Sequence, residues 1–369
     1  MMSRKLPEVC EIQYGFPFDS SLFSAEGDLP LIRIRDVVRG YTETYTSEKC
    51  DVAYLVHEGD ILVGMDGVFN VAKWKGEPAY LNQRVCRIIP NETIDADFLF
   101  YFIPTALKKI ENETAFVTVK HLKAKQLNAV VVPDVPIEEQ KKIAAQLNVI
   151  THLISLRQQQ AEKLDELVKA RFVEMFGKCK YGGDPLSNVC KLITDGTHQP
   201  PQFVDAGIPF LLVSNLVHNE ITYDTEKFIS KESYQELIKR TPVEIGDILL
   251  SIVGSYGHAG VVRTDKPFCF QRHIAYIKPD FSKLNSEFLH QALLSDAVKY
   301  QMEKRVKGIA QKTLNLSELK KIVVPIPPLA LQTEFSHFVH EVDCEKERIQ
   351  RSAALLETLK RSLMQQYFG

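Results

Sequence analysis

The chain has 369 residues, of which 45% are hydrophobic and 25% charged, and its 45 Lys and Arg against 47 Asp and Glu give a net charge of −2. This composition excludes disordered and fibrous proteins and leaves room for two or three domains. The near-zero net charge gives no whole-protein argument for a nucleic-acid partner.

The N-terminal residues 1–7 contain no apolar run of the kind that a signal peptide or a membrane span requires. We therefore expect a cytoplasmic protein. The cysteines form no CxxC pair and no Cys/His spacing suited to zinc, so we expect reduced residues of the core. They are Cys10, Cys50, Cys86, Cys179, Cys190, Cys269 and Cys344.

Residues 1–133 predict a mixed, largely β domain. Short β-branched and aromatic runs alternate with Gly, Asn, Asp and Pro, which is typical of strands and turns. A helical pattern interrupts them from Phe98 to Ile110. The stretch 114–133 is basic and has no acidic residue, which fits either a DNA-facing segment or a solvated surface. Its basic side chains are Lys120, Lys123 and Lys125.

Residues 134–177 predict one long helix. The glycines disappear after Pro133 and Pro136, and proline is well placed at a helix start. Alternating steps of four and three residues give a heptad stripe, the requirement for a two-stranded coiled coil. The stripe contains Ile143, Leu147, Ile150, Ile154, Arg157, Ala161, Leu164, Val168, Arg171 and Met175.

Residues 178–369 repeat this order. Residues 178–325 predict a second β-rich domain with a helical pattern from Ser286 to Met302, followed by a basic segment from Lys299 to Lys321. Residues 326–369 predict a second long helix with the same stripe. That stripe contains Phe335, Val339, Val342, Lys346, Ile349, Ala353, Leu356, Lys360, Leu363 and Tyr367.

The two halves align collinearly at an offset that drifts from about 180 to 192 residues, as internal repeats do. Gly59-Asp60-Ile61-Leu62 matches Gly246-Asp247-Ile248-Leu249, and Val131-Val132-Pro133 matches Val323-Val324-Pro325. We predict an α+β fold in which two β-rich mixed globular domains are separated by two long helices, paired as an antiparallel coiled coil with approximate twofold symmetry. A helix of about 35 residues measures roughly 50 Å, which suits readers spaced by turns of duplex DNA.

Candidate base-reading residues occupy turns of both halves. Base readout uses forked donors such as Arg and amides such as Gln. Both halves carry a Gln-Arg pair, Gln83-Arg84 and Gln271-Arg272, which we place at the same repeat position. A salt-bridged strand arginine beside a turn is the alternative.

Two glycine-flanked turns differ between the halves, as expected if each half reads a different sequence. The first contains Asp66, and the second contains Ser255 and Tyr256. A plain hairpin turn is the alternative. Three further side chains are candidates for phosphate contacts, which position a protein without specifying a base. They are Lys120, His121 and Lys312.

Catalytic motifs are absent: the chain has no phosphate-binding loop, no GxGxxG and no Asn-Pro-Pro-aromatic tetrapeptide. Asp134 and Glu139 superficially resemble a nuclease cluster, but the second half lacks carboxylates there. We expect His337 and His340 to be surface or packing residues and not metal ligands. The alternatives to a DNA-reading protein are a recognition module or degenerate nuclease split from a fused enzyme, and a coiled-coil scaffold.

Several segments resemble the specificity subunits of Type I restriction-modification systems. Ile193-Thr194-Asp195-Gly196-Thr197-His198 with Gly207-Ile208-Pro209 resembles the opening of a target-recognition domain of that family. Val324–Leu329, and Val132 through Gln140, resemble its entries into the conserved helices. The first half departs from the pattern, with Tyr14-Gly15-Phe16-Pro17 where Asp195-Gly196-Thr197-His198 stands in the second.

The resemblance implies target-recognition domains at 1–133 and 178–325, each reading half of a split, asymmetric DNA site, with conserved helices at 134–177 and 326–369. It implies DNA contacts by Thr197 and His198. It also implies that two copies of an adenine methyltransferase dock on the helices and that motor-nuclease subunits join for cleavage. Such a subunit is not an enzyme and binds no cofactor: S-adenosylmethionine belongs to the methyltransferase, and ATP and Mg²⁺ belong to the motor-nuclease.

Overall fold

The computed structural model describes residues 4–113, 120–177, 181–199, 201–308 and 311–369. Contacts divide the chain into two units. Unit 1 comprises Met1–Gln158 and Arg351–Gly369, and unit 2 comprises Gln159–Gln350. Cys179 lies outside the described residues.

The β-rich region of unit 1 contains short strands and four helices in its described residues. The strands are β1 (Arg4–Lys5), β2 (Cys10–Tyr14), β3 (Phe23–Ser24), β4 (Leu29–Ile32), β5 (Tyr45–Thr46), β6 (Leu55–Val56), β7 (Ile61–Gly64), β8 (Val71–Lys73), β9 (Ala79–Leu81), β10 (Val85–Pro90) and β11 (Val131–Val132). The helices are α1 (Leu6–Val9), α2 (Asp36–Arg39), α3 (Ala96–Glu113) and α4 (Ala124–Asn128). The long helix α5 (Ile137–Phe176) begins in this unit.

Three sheets organise unit 1. One is antiparallel, in the order β2-β10-β7-β8. The second has the order β3-β5-β4-β9-β6 and includes a parallel β4–β9 pair. Strands β1 and β11 form the third sheet and join the two ends of the β-rich region.

Unit 2 repeats this plan. Its strands are β12 (Gly183–Pro185), β13 (Cys190–Asp195), β14 (Phe203–Val204), β15 (Ile208–Leu211), β16 (Phe228–Ile229), β17 (Ile248–Ser251), β18 (Ala259–Val261), β19 (Cys269–Phe270), β20 (Ile274–Pro279) and β21 (Val323–Pro325). Its helices are α6 (Leu186–Val189), α7 (Lys231–Leu237), α8 (Ser286–Leu294), α9 (Asp296–Glu303) and α10 (Leu316–Leu319). The long helix α11 (Leu329–Phe368) begins in this unit.

The sheets of unit 2 match those of unit 1 strand for strand in their shared parts. The antiparallel sheet has the order β13-β20-β17-β18, and the parallel pair is β15–β19. Helix α7 follows β16 where unit 1 has β6. The predicted α+β class and internal repeat are therefore confirmed.

The repeated Gly-Asp motif forms the turn before the central strand of each antiparallel sheet. Gly59 and Gly246 have φ angles of +91° and +93°, a backbone conformation that favours glycine. The carboxylates of Asp60 and Asp247 then accept the backbone N–H three residues earlier, at 2.9 and 2.8 Å. The motif thus encodes a structural turn.

A buried glutamine anchors the first turn of each long helix. Gln140 and Gln332 are 1% and 0% exposed. Their Oε1 atoms accept the backbone N–H of Asp95 and Asn285, both at 2.8 Å. Their Nε2 atoms donate to backbone carbonyls at 2.8–2.9 Å. Each glutamine therefore ties its helix to the β-rich region of the same unit, which explains why it is shared by Glu138-Glu139-Gln140 and Ala330-Leu331-Gln332.

The heptad stripes are covered as predicted, since every stripe residue is buried or half-buried. In unit 1 the Tyr367 hydroxyl donates to Gln146 at 3.0 Å, and in unit 2 Lys346 pairs with Asp165 at 2.7 Å and Arg171 with Glu334 at 3.2 Å. In unit 2 the residue number of the α5 partner falls from 171 to 165 as that of the α11 partner rises from 334 to 346. The two helices therefore pair antiparallel there, as predicted.

Five of the six described cysteines are buried or half-buried, and all six are free thiols. Cys344 is exposed on α11, so the expectation of a core residue is wrong there. It lies outside the heptad stripe, and its Sγ is 3.8 Å from His340 Nε2 on the solvent face of the helix. Across the described parts of the chain, no helix combines the length and the apolar character needed to cross a membrane.

Candidate nucleic-acid interface

In unit 1 three loop segments meet at the end of the antiparallel sheet. Met65, in the turn after β7, donates its N–H to the carbonyl of Arg84 at 3.0 Å. Gly67 in the same turn donates to Lys120 at 2.9 Å, and Leu122 donates back to Met65 at 2.7 Å. These backbone bonds hold the turn, the Gln-Arg segment and the segment before α4 side by side.

Unit 2 brings the equivalent segments together through equivalent bonds. Ile252 donates to the carbonyl of His273 at 2.9 Å, and Leu314 donates to Ile252 at 2.8 Å. Gly254 donates to Lys312 at 2.8 Å. Lys120 and Lys312 therefore occupy the same position of the repeat.

A glycine lets a fourth segment pass close to this junction in each unit. A Cβ on Gly15 would overlap the carbonyl of Asn82, and a Cβ on Gly196 would overlap the carbonyl of Phe270. The same close approach explains why glycine stands in Tyr14-Gly15-Phe16-Pro17 and in Asp195-Gly196-Thr197-His198, although the neighbouring residues differ.

The two Gln-Arg pairs are offset by one residue in the structure. A parallel bridge joins Phe16 to Asn82 in unit 1 and Thr197 to Gln271 in unit 2. Gln271 therefore corresponds to Asn82, and the expectation of one shared repeat position is wrong by one residue. The register is set by the pairing of β9 with β4 and of β19 with β15, which the short Gln-Arg match does not include.

The two glycine-flanked turns occupy different positions of the repeat. Gly67 and Gly254 correspond, because both have a left-handed φ, +73° and +74°, and both donate to a lysine carbonyl. Asp66 therefore corresponds to Val253, while Ser255 and Tyr256 lie beyond the shared glycine. Ser255 is exposed and Tyr256 half-buried.

Asp66 is the centre of a charged cluster in unit 1. Its Oδ1 lies 2.6 Å from His121 Nδ1, and its Oδ2 lies 3.4 Å from Arg84 Nε. The Asp66 side chain is 25% exposed, whereas those of Arg84 and His121 are 56% and 53% exposed. Gln83 is exposed beside them. Three of the predicted residues therefore form one cluster. Lys120 is half-buried, and its Nζ donates to the carbonyl of Glu111 at 2.9 Å.

Asp195 is the centre of a similar cluster in unit 2. Its Oδ2 lies 3.0 Å from His198 Nε2, and its Oδ1 accepts a hydrogen bond from Arg240 Nη2. Asp195 is 11% exposed, and the histidine and the arginine are each 52% exposed. Thr197 donates its hydroxyl to the carbonyl of Gln199 at 2.8 Å, a contact within the loop.

The remaining predicted residues of unit 2 lie on the junction itself. Arg272 and Lys312 are exposed, and Gln271 is half-buried. Burial, followed by the charge of Arg272, lowers the pKa of His273, so this imidazole is neutral at pH 7. A neutral imidazole can both donate and accept hydrogen bonds.

Sequence reasoning missed Arg240. This residue follows α7, in a part of unit 2 where unit 1 has a different structure, so the repeat gives no signal for it. It is recognisable only because the fold carries it back to the end of β13.

The carboxylates considered for a nuclease do not converge. Glu139 is exposed and pairs with Lys142 at 3.5 Å, while the neighbouring Gln140 is the buried helix anchor. His337 and His340 are exposed. Within the described ranges, no three His, Cys, Asp or Glu side chains are grouped so that they could hold a metal ion.

Residues 1–166 and 189–357 match the family described as Type I restriction modification DNA specificity domain, so the chain belongs to this family. The class is that of the specificity subunits of Type I restriction-modification systems, which recognise DNA sequence.

Individual proteins that are similar to this chain are also specificity subunits. The chain is 31% identical over 401 residues to the Type I restriction enzyme EcoBI specificity subunit of Escherichia coli, covering 98% of this chain and 84% of that protein. It is 23% identical over 333 residues to the MjaVIII specificity subunit of Methanocaldococcus jannaschii, covering 84% and 78%.

Two solved structures share the fold. The S subunit of a Type I restriction-modification system from M. genitalium has a TM-score of 0.55 at 16% identity, covering 100% of this chain and 96% of that one. A structure described as the basis of complex assembly and conformational transition of the type I R-M system has a TM-score of 0.58 at 17% identity, covering 100% and 97%.

Proposed function

We propose that this chain recognises a bipartite, asymmetric DNA site, with the β-rich region of each unit reading one half. The observation that carries the proposal is the pair of exposed polar clusters at matching junctions of two repeated regions. The shared backbone bonds supply equivalent platforms, and the different side chains on them supply different readouts. Different clusters on equivalent platforms are what an asymmetric two-part target requires.

We assign base contacts and phosphate contacts from the exposure and the donor type of each side chain. Gln83, Arg84, Gln271 and Arg272 are the candidates for base contacts, together with Thr197, His198, Ser255 and Tyr256 from the adjoining turns. Asp66 is a candidate DNA-binding residue through its contacts with Arg84 and His121. Lys120, His121 and Lys312 are the candidates for phosphate contacts, which fix orientation without specifying a base. Arg240 joins the base-reading group because it is exposed beside His198.

We also propose that the long helices dock two copies of an adenine methyltransferase. The support is apolar surface left uncovered on them, which marks interaction sites. In unit 1 the exposed large apolar side chains of the helices are Val149, Leu153, Leu156, Leu355 and Leu359. Leu355 is 71% and Val149 59% exposed.

The chain then directs partners to DNA and performs no catalysis itself. S-adenosylmethionine binds to the methyltransferase, and ATP and Mg²⁺ bind to the restriction subunits that join for cleavage. The solved type I complex that shares this fold is described in terms of complex assembly, which supports a subunit with several partners.

The deciding experiment is co-expression of this chain with an adenine methyltransferase encoded beside it, followed by single-molecule mapping of methylated adenines. We expect methylation at two specific blocks separated by a fixed nonspecific gap, and its loss when this chain is omitted. A soluble complex with an intact methyltransferase that adds no methylation would contradict the proposal. It would favour the scaffold or degenerate-enzyme alternatives.

Arg272→Ala tests the assignment of one region to one half-site. We expect the variant to lose about 1 to 3 kcal/mol of base discrimination in one half-site and none in the other. Competition binding with duplexes altered in either half-site measures this. Equal losses in both half-sites would contradict the assignment.

The helices provide a second test, because we propose that they set the gap between the half-sites. Insertion of seven residues into both α5 and α11 should lengthen the gap by about three base pairs, since a heptad rises roughly 10 Å and each base pair about 3.4 Å. An unchanged gap in the methylation motif would show that the helices do not set the distance.

A further inference from the structure

Each unit places one carboxylate between an exposed arginine and an exposed histidine. Asp66 contacts Arg84 and His121 in unit 1, and Asp195 contacts Arg240 and His198 in unit 2. In both clusters the aspartate is the most buried member, and the arginine and the histidine are about half exposed. Each carboxylate therefore lies behind its arginine and histidine.

The repeat does not account for this likeness. Asp66 corresponds to Val253 of unit 2, because both form the bridge to the segment before α4 or α10. Asp195 corresponds to Tyr14 of unit 1, because both end the first strand of the sheet next to the junction glycine. Two different positions thus produce the same arrangement of groups. Inheritance of one conserved aspartate would have left the carboxylate at the same position in both units.

A carboxylate is costly for phosphate binding, since it repels the DNA backbone. Its use here is to hold an arginine. A free arginine loses side-chain entropy when it is fixed on DNA. The ion pair of Arg84 with Asp66 and the hydrogen bond of Arg240 to Asp195 remove part of this freedom before DNA arrives. Among the described residues, Arg84 uses only Nε, so its terminal Nη1 and Nη2 remain free. Arg240 contacts Thr194, Asp195 and His198 through Nη2, and its Nε and Nη1 have no partner in the same described set. Each two-donor edge of a guanidinium includes Nη2, so the fork toward guanine would pair Nη1 with the second hydrogen of Nη2.

We propose that Asp66 and Asp195 are positioning residues that orient Arg84 and Arg240 for recognition of one guanine in each half-site. Guanine fits because its O6 and N7 are two adjacent acceptors that match the fork of a guanidinium. This inference rests on the proposed function. It adds the identity of one base in each half-site and a role for two acidic residues on a surface that binds an anion.

The test uses the complex with the methyltransferase and the variants Asp66→Asn and Asp195→Asn, which keep the side-chain volume. Once the target is mapped, 7-deazaguanine in place of each guanine removes its N7 acceptor. We expect this change at one guanine to weaken wild-type binding about tenfold. In Asp66→Asn, 7-deazaguanine in one half-site should weaken binding much less than tenfold, while the same change in the other half-site should weaken binding as in wild type. Asp195→Asn should show the converse.

The matched controls are Asp134→Asn in unit 1 and Asp205→Asn in unit 2, both exposed aspartates away from the clusters. They should retain the wild-type response to 7-deazaguanine. Affinity for random duplex should stay equal or rise in Asp66→Asn, because a negative charge is removed, whereas a misfolded variant would lose it. Asp66→Glu, which restores the carboxylate, should recover part of the guanine response.

The outcomes separate the inference from the proposed function. A split motif in wild type with no guanine in a half-site, or an unchanged N7 response in both Asn variants, would overturn the inference alone. A wild-type complex that yields no split motif would remove the proposed function and the inference with it.

Discussion

Units 1 and 2 share a backbone plan but differ in the polar groups placed on it. Their antiparallel sheets have the same strand order, and their loop junctions use the same backbone hydrogen bonds. The charged clusters at those junctions come from different strands and turns. The common fold depends on apolar register and on glycines, and different residues of the same backbone junction supply the polar groups in each unit.

The largest expected effect concerns the close backbone approach at a glycine, which both units share. Gly15→Ala and Gly196→Ala should each destabilise their own unit by about 3 kcal/mol, because the new Cβ overlaps a backbone carbonyl that cannot move without the sheet. Hydrogen exchange of β10 and β20 should report the loss.

Gly182→Ala is the control for both glycine variants, since its Cβ would meet nothing within 4 Å. Protection equal to wild type in Gly15→Ala or Gly196→Ala would mean that the close approach is not required.

The two helix anchors should respond alike. Gln140→Ala and Gln332→Ala each leave a buried backbone N–H without its partner, at a cost of about 1 to 3 kcal/mol in their own units. Urea unfolding followed by hydrogen exchange measures both. Gln158→Ala, on the exposed face of α5, should change little. A marked difference between the two anchor variants would show that the equivalent bonds are not energetically equivalent.

Lys120 and Lys312, which we propose as phosphate contacts, should differ in their effect on DNA binding because their side chains differ in freedom. The Lys120 side chain donates to the carbonyl of Glu111, whereas the Lys312 side chain is exposed and has no partner among the described residues. Lys312→Ala should reduce the salt slope of DNA binding by about 1 and weaken binding to all sequences alike. Lys120→Ala should do less, and a base-dependent loss would contradict the phosphate assignment.

The smallest expected effect is a pH dependence confined to unit 2. His290 donates from Nε2 to the carbonyls of Asn219 and Ala259 at 3.1 and 2.9 Å. Burial lowers its pKa from the ordinary value of 6.5, while Glu287 and Arg263 act on it in opposite directions. The unfolded chain therefore binds a proton near pH 6.5 that the folded unit does not. The free energy of unfolding should fall as the pH drops below this value.

Substitution of this histidine tests the pH dependence. His290→Gln keeps an N–H donor and should flatten the dependence between about pH 5 and 7, whereas the exposed His337→Gln should not. An unchanged slope in His290→Gln would assign the dependence to other groups. Unit 1 has Phe100 at the corresponding helix position and lacks this histidine.

The sequence alone determined the architecture of this protein. Heptad stripes, the Gly-Asp turns and the collinear repeat predict the long helices, the turns and the duplication, because each depends on local periodicity or on one backbone conformation. The family resemblance rests on other local segments, namely residues 193–198 with 207–209 and the entries into the two long helices. The general position of the loop junctions that we propose to contact DNA is also predictable, since glycine-flanked turns and basic segments recur in both halves.

Only the tertiary structure decided which side chains meet there. The register between Gln83-Arg84 and Gln271-Arg272 depends on strand pairing that begins about 50 residues earlier in the chain. Arg240 reaches Asp195 from a segment that the repeat does not contain, and Asp66 meets His121 across 55 residues. Such contacts join loops that are distant in sequence, so local patterns predict the strands that support the surface but not the groups on it.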